Sequence, residues 1–210
     1  MVDQRLHVLF DFEHIDPEIY SAIKQQGLLD VSTIPETIND NFERQNLTDA
    51  MCSFDPTQEI FDDSRNSIHV ECYLTGSDIL NFTINRDLRV RTYHVRTNWR
   101  KFSVALIHDY SFNFTNYFAT PVSQWELINH TLDDKEHPAY YYNSTSRSQV
   151  DPSFYFILPE KATNIHAIED IIIFDAPLSF EESLLDSPFL IVAVLAVLII
   201  TVLLYRRIRR

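Results

Sequence analysis

The sequence predicts an α+β fold that is mainly β: an antiparallel sandwich or curled sheet with two short N-terminal helices, followed by one C-terminal transmembrane helix. Three observations carry this expectation. Apolar periodicity is helical in much of the first third and becomes two-residue from Ser67 onward. Short alternating runs then recur at regular spacing, as in antiparallel all-β domains. Finally, residues 188–205 carry no charge.

The elements follow in chain order. Leu6, Val8 and Phe10 alternate with polar or smaller neighbours and predict a first strand. Asp16-Pro17-Glu18 supplies an N-cap, a first-turn proline and an early acid. Ile19 and Ile23 repeat at helical spacing until Gly27 ends the helix. Thr33-Ile34-Pro35-Glu36 reads as a capping-box start to a second helix with the stripe Ile34, Ile38, Phe42. Strands are then expected at Ile68/Val70/Cys72/Leu74, Leu80/Phe82/Ile84, Leu88/Val90, Phe102/Val104/Leu106, Phe112/Phe114, Phe154/Phe156/Leu158 and the dense run 168–174. Residues 130–152 are polar and irregular and predict a long exposed loop. The shortage of glycine counts mildly against tight hairpin turns, which favour it.

Residues 188–205 are apolar on every side. At a rise of about 1.5 Å per residue they reach roughly 27 Å, close to the hydrocarbon thickness of a bilayer. The predicted organisation is a β-rich domain over 1–175 (mixed over 1–66, mainly strands over 67–175), a membrane-proximal stem over 176–187, the span over 188–205, and a basic cytoplasmic tail over 206–210. All 30 acidic residues precede the span with 13 of the 17 basic ones, so residues 1–187 carry −17 and the tail +4. Basic flanks stay on the cytoplasmic side, which places the acidic domain outside. The first sixteen residues hold no apolar signal-peptide run. The sequence therefore leaves two arrangements: a leader removed before the given start, or a tail-anchored protein with its domain in the cytosol.

Five Asn-x-Thr acceptors, at Asn46, Asn81, Asn113, Asn129 and Asn143, favour the outward arrangement as glycosylation candidates. Cys52 and Cys72 are a candidate disulfide outside the cell, or two small buried hydrophobes inside it.

Composition excludes several chemistries. With two glycines in the chain, Gly27 and Gly76, neither a phosphate-binding loop nor a dinucleotide fingerprint can be written. No histidine pair has metal-ligand spacing, and the acids Asp62-Asp63 and Asp133-Asp134-x-Glu136 lack a calcium-loop pattern, so no metal and no cofactor are expected. No Gly-x-Ser-x-Gly exists and no catalytic residue can be assigned. His69, His94 and His166 read as ordinary strand residues. A net charge of −13 excludes nucleic acid as the natural partner.

Two local features point to binding. Arg86, Arg89, Arg91, Arg96, Arg100 and Lys101 concentrate positive charge within a short stretch. If 88–97 is one strand, Arg89 and Arg91 share a face with Tyr93, so Arg89, Arg91 and Arg96 form a possible anion-binding patch. Tyr140, Tyr141 and Tyr142, placed in a polar loop, form a possible protein interface. The sequence thus predicts a single-pass, membrane-anchored interaction protein: an adhesion, receptor-like or accessory subunit. Its partners would be the lipid bilayer and another membrane protein or a second copy of itself. The alternatives are a tail-anchored cytosolic adaptor on an organelle membrane, and a membrane-anchored ectoenzyme of hydrolase type.

Overall fold

The structure is a computed structural model that describes residues 5–114, 119–143 and 151–179, together with 192, 195–199, 201 and 205. The described chain is mainly β and sandwich-like, with antiparallel pairing throughout. Its elements are β1 (Leu6–Glu13), α1 (Pro17–Gln26), α2 (Thr33–Arg44), β2 (Met51–Ser53), β3 (Phe61–Asp62), β4 (Ser67–Thr75), β5 (Leu80–Asn85), β6 (Val90–Arg96), β7 (Ser103–Ile107), β8 (Tyr110–Asn113), β9 (Glu126–Leu132), β10 (Lys135–Asn143), β11 (Asp151–Ile157), β12 (Thr163–Ile168) and β13 (Ile171–Pro177).

The larger sheet has the order β2-β4-β1-β11-β10-β9, with β3 also pairing to β4. A second sheet runs β12-β13-β6-β5, and β7-β8 form a separate hairpin. Burial along β4 alternates without a break, as the sequence requires of a strand with one covered face. That covered face carries Val8, Phe10 and Phe12 of β1, Val70 and Cys72 of β4, and Phe154 and Phe156 of β11, all buried. The β7-β8 hairpin lies on it, with Phe102 and Phe114 around Phe10 and Phe112 edge-on to Phe12. Full burial of each such ring contributes roughly 1.5–3 kcal/mol. Trp99 joins the layers, meeting Phe42 of α2 on one side and Phe154 and Phe156 on the other.

Both helices form where the sequence places them. Asp16 caps α1 by accepting from the Glu18 amide at 2.9 Å, and Gly27 closes it in the left-handed conformation, φ 61°. The second start differs from a capping box. Ser32 occupies the cap without a side-chain bond, and Asp30 accepts instead from the Ser32 and Thr33 amides. Asp30 reaches these donors because it precedes the turn, where a carboxylate sits beside two unsatisfied amides. Gly76, φ 107°, cannot be replaced without moving backbone: a Cβ there would lie 1.8 Å from the Asp49 carbonyl oxygen.

Two sequence expectations are corrected. The stretch expected as a loop over 130–152 contains the end of β9, all of β10 and the start of β11; only 144–150 lie outside the described residues. The run 168–174 is not one strand. It turns at Glu169-Asp170, where Glu169 takes φ 51°, and so joins β12 to β13. Glycine scarcity is met by other left-handed residues. Asp133 and Asp134, φ 49° and 61°, make the two-residue β9-β10 turn, since both side chains tolerate that conformation.

Among the described residues no helix is long and apolar enough to cross a membrane. Val192, residues 195–199, Thr201 and Tyr205 are helical, and the Thr201 hydroxyl donates to the Val197 carbonyl at 2.8 Å. The remainder of 188–205, all of the tail over 206–210, and residues 180–187 of the expected stem lie outside the described residues. β13 runs to Pro177, two residues into that expected stem.

Candidate functional site

A cavity of about 470 Å³ opens at the end of β1 and β11, where the β6-β13 end of the second sheet meets the first. Alternation builds its walls. On the inner face of the second sheet, Phe82, Tyr93 and Phe174 pair across three neighbouring strands, with Tyr93 stacked on Phe174 at 5.0 Å. Arg91, two residues before Tyr93, shares that face. It is buried at 8% exposure, its guanidinium lies 4.6 Å over the Phe82 ring, and its Nη1 donates to the Tyr93 hydroxyl at 3.3 Å. Such placement sets the guanidinium plane against an aromatic face, a favourable cation–π arrangement.

The first sheet supplies the opposite wall. His7 stacks on Tyr73 with ring centroids 4.8 Å apart, and the Arg5 guanidinium lies 5.0 Å from the same Tyr73 ring. His7 is 8% exposed, and its Nδ1 has no hydrogen-bond partner among the described residues. Leu6, Ile157 and Leu158 add apolar surface, and the His137 ring donates to the Leu158 carbonyl at 3.1 Å.

A chain of ionisable groups runs from this cavity across the other face of the larger sheet, beside the buried residues Leu9, Ala139 and Ile157. Antiparallel register sets His7 opposite Tyr73, Leu9 opposite Glu71 and Asp11 opposite His69. His7 Nε2 lies 3.3 Å from Glu71, whose other oxygen is 3.0 Å from His69 Nε2; His69 Nδ1 meets Asp11 at 2.6 Å. Burial opposes charge on His69, but hydrogen bonds to Asp11 and Glu71 outweigh it and push its pKa up to about 9. Hydrogen bonds from His69 and then His7 hold the Glu71 carboxyl far below its ordinary range. A smaller concavity of about 190 Å³, lined by Asp55, Gln58, Glu59, His69, Glu71 and Tyr73, sits beside this chain. Both ring nitrogens of His69 are committed to carboxylates. It is therefore a clamped cation between strands rather than a base with a free lone pair. Among the described residues no group of acids, histidines and cysteines has the geometry to hold a metal ion.

The other residues singled out from sequence fall as follows. Arg89 lies in the turn before β6, φ 53°, so the face expected to be shared with Arg91 is not formed; Arg96, on the opposite face of β6, is exposed. Strand alternation and the turn thus separate all three. Arg100 is fully buried and pairs with Asp170 at 2.8 Å. Tyr140, Tyr141 and Tyr142 lie in β10 rather than in a loop, with Tyr140 buried and the other two half-buried. Cys52 and Cys72 are unpaired thiols, both buried, and burial together with the neighbouring Cys52 pushes the Cys72 thiol well up. Asn46, Asn81 and Asn129 are exposed, while Asn113 and Asn143 are half-buried.

Arg5, His7 and Tyr73 were not singled out by sequence reasoning. One signal was present: His7 and Asp11 both occupy odd positions of the first strand, which marks that face as polar. Comparison with protein-family models, curated proteins and solved structures found no match to this chain.

Proposed function

We propose that the chain is a single-pass, membrane-anchored interaction protein whose acidic, β-rich domain faces outward and acts by binding rather than by catalysis. The observation that carries this reading is the uncharged apolar run over 188–205, followed by four arginines within 206–210. Such a run spans a bilayer as a helix, and its basic flank fixes the cytoplasmic side. Exposure of Asn46, Asn81 and Asn129 supports an outward domain, because an acceptor must reach solvent to be glycosylated. Binding is favoured over hydrolysis because the histidine of the carboxylate cluster, His69, has both nitrogens engaged. The partner is another membrane protein or a second copy of the chain.

One observation favours a second reading, a tail-anchored cytosolic adaptor: Cys52 and Cys72 are free thiols. Peptide mass spectrometry on native membrane preparations separates the two. Glycan on Asn46, Asn81 or Asn129 is the result expected for the outward domain. Unmodified asparagines together with reduced cysteines would replace that reading with the adaptor.

A further inference from the structure

We infer that the outer edge of β9 pairs with β9 of a second copy of the chain, joining the larger sheets of two molecules into one continuous antiparallel sheet. Backbone parity carries the inference. The Leu158 amide donates to the Pro138 carbonyl at 2.8 Å, so Pro138 directs its backbone toward β11. In an antiparallel pair, residues directly opposite either exchange both backbone bonds or turn both away from each other. Asn129 lies opposite Pro138, so its amide and carbonyl turn outward, and alternation turns those of Leu127 and Thr131 the same way. β9 ends the sheet order, and among the described residues no group bonds to this row. The Leu127 side chain beside it is 49% exposed.

Other edges are guarded. β2 and β3 have three and two residues, β12 carries a bulge between Thr163 and His166, and on β5 the Leu80 amide already donates to the Gly76 carbonyl. β9 has seven residues, pairs with β10 without a register shift, and holds no lysine, arginine or proline to deter a further strand.

Register identifies the occupant. Two-fold antiparallel pairing centred on Asn129 sets Leu127 opposite the second copy's Thr131, Ile128 opposite its His130 and Glu126 opposite its Leu132. Every residue of β9 is then paired and no like charges meet. The Asp133-Asp134 turn falls opposite the uncharged Gln124-Trp125. Moving the centre to His130 would set Glu126 against Asp134, and moving it to Ile128 would pair only residues 126–130. The contact uses one edge twice and therefore closes at two copies. It rests on the reading that the chain acts by binding, and it names the partner. Asn129, on the axis, then carries no glycan, which leaves Asn46 and Asn81 as acceptors.

Single cysteines introduced into the full chain, and treated with a mild thiol oxidant in native membranes, test the register. The native Cys52 and Cys72 are 2% and 0% exposed and stay out of the reaction. Asn129→Cys is expected to link to itself, because directly opposed Cβ atoms lie about 5 Å apart. Leu127→Cys and Thr131→Cys are each expected not to link alone, since a residue and its own copy would stand about 14 Å apart along the strands. Coexpressed under different tags, these two are expected to link to one another. Adding Asn129→Pro to both chains of that pair is expected to cut linking by about tenfold or more. Proline removes an outward amide at the axis and leaves the bonds to β10 intact. The cysteine arms stand even if the proline variant fails to fold. No link at all, equal linking at all three positions, undiminished linking with Asn129→Pro, a link to an unrelated protein in place of the second copy, or full glycan occupancy at Asn129 would each overturn the inference. A chain found in membranes with glycan on Asn46 but without links would sink the pairing and leave the anchoring proposal standing. A chain recovered outside membranes that links in this register would contradict the anchoring proposal alone.

Discussion

At the scale of single residues, His69 shows how position converts an ordinary strand histidine into a charged link. Its alternation among apolar neighbours is visible in the sequence, and so is its place on the face opposite Ile68 and Val70. Its partner Asp11 stands 58 positions away, and only the β1-β4 register brings the two to 2.6 Å. The linkage has a definite sign. His69 is raised from 6.5 to about 9, so its contribution is complete below 6.5 and is lost as pH rises through 9. Glu71 is depressed from 4.5, so its contribution is present above 4.5 and is lost as pH falls below it. Thermal unfolding should therefore show greatest support from this cluster between 4.5 and 6.5 and a decline from 6.5 to 9. His69→Gln should flatten that decline; an unchanged profile in the variant would remove His69 from the linkage. Arg91 illustrates the opposite degree of legibility. Its partnership with Tyr93 follows from two-residue alternation, but its burial over Phe82 requires the pairing of β5 with β6, which no local pattern states.

Among elements, legibility tracked how completely one face is covered. β4 and β11 bury a continuous apolar stripe, and the sequence displays it. β9 and β10 do not. They close the edge of the larger sheet, where Leu127, Asn129 and Thr131 remain exposed, and Pro138 interrupts the pattern further. An edge with little to bury reads as a polar loop, and so the tyrosines of β10 were placed in one. The 168–174 run failed for a different reason: Glu169-Asp170 turns the chain without glycine or proline. The resulting β12-β13 turn is pinned from inside. Arg100 pairs with Asp170, and its guanidinium also donates to the Thr97 carbonyl at 3.0 Å and the Thr120 carbonyl at 2.6 Å. Removing one member of a buried pair costs about 3–5 kcal/mol. Because Asp170 is 29% exposed and can recover water, Arg100→Met should sit near 3 kcal/mol on that scale, read from the urea midpoint. A loss below about 1 kcal/mol would show the pair to be no more than a surface bridge.

For the whole molecule, charge and apolar surface are distributed in a way that neither composition nor fold class states. Acidic residues dominate the domain as a whole, while arginines gather at the cavity and in the segment 206–210. The two-sheet architecture was foreseeable from strand spacing. The cavity was not, because Arg5, His7, Arg91 and Phe174 come from distant parts of the chain and meet only after both sheets form.

The central claim is that the domain stands outside the membrane while residues 206–210 stay within. Protease added to intact cells that express the full chain with an epitope tag after Arg210 tests it directly. The account predicts that the domain is digested while a short tagged fragment, protected by the bilayer, survives. A full-length tagged chain that resists protease until the cells are permeabilised would contradict it.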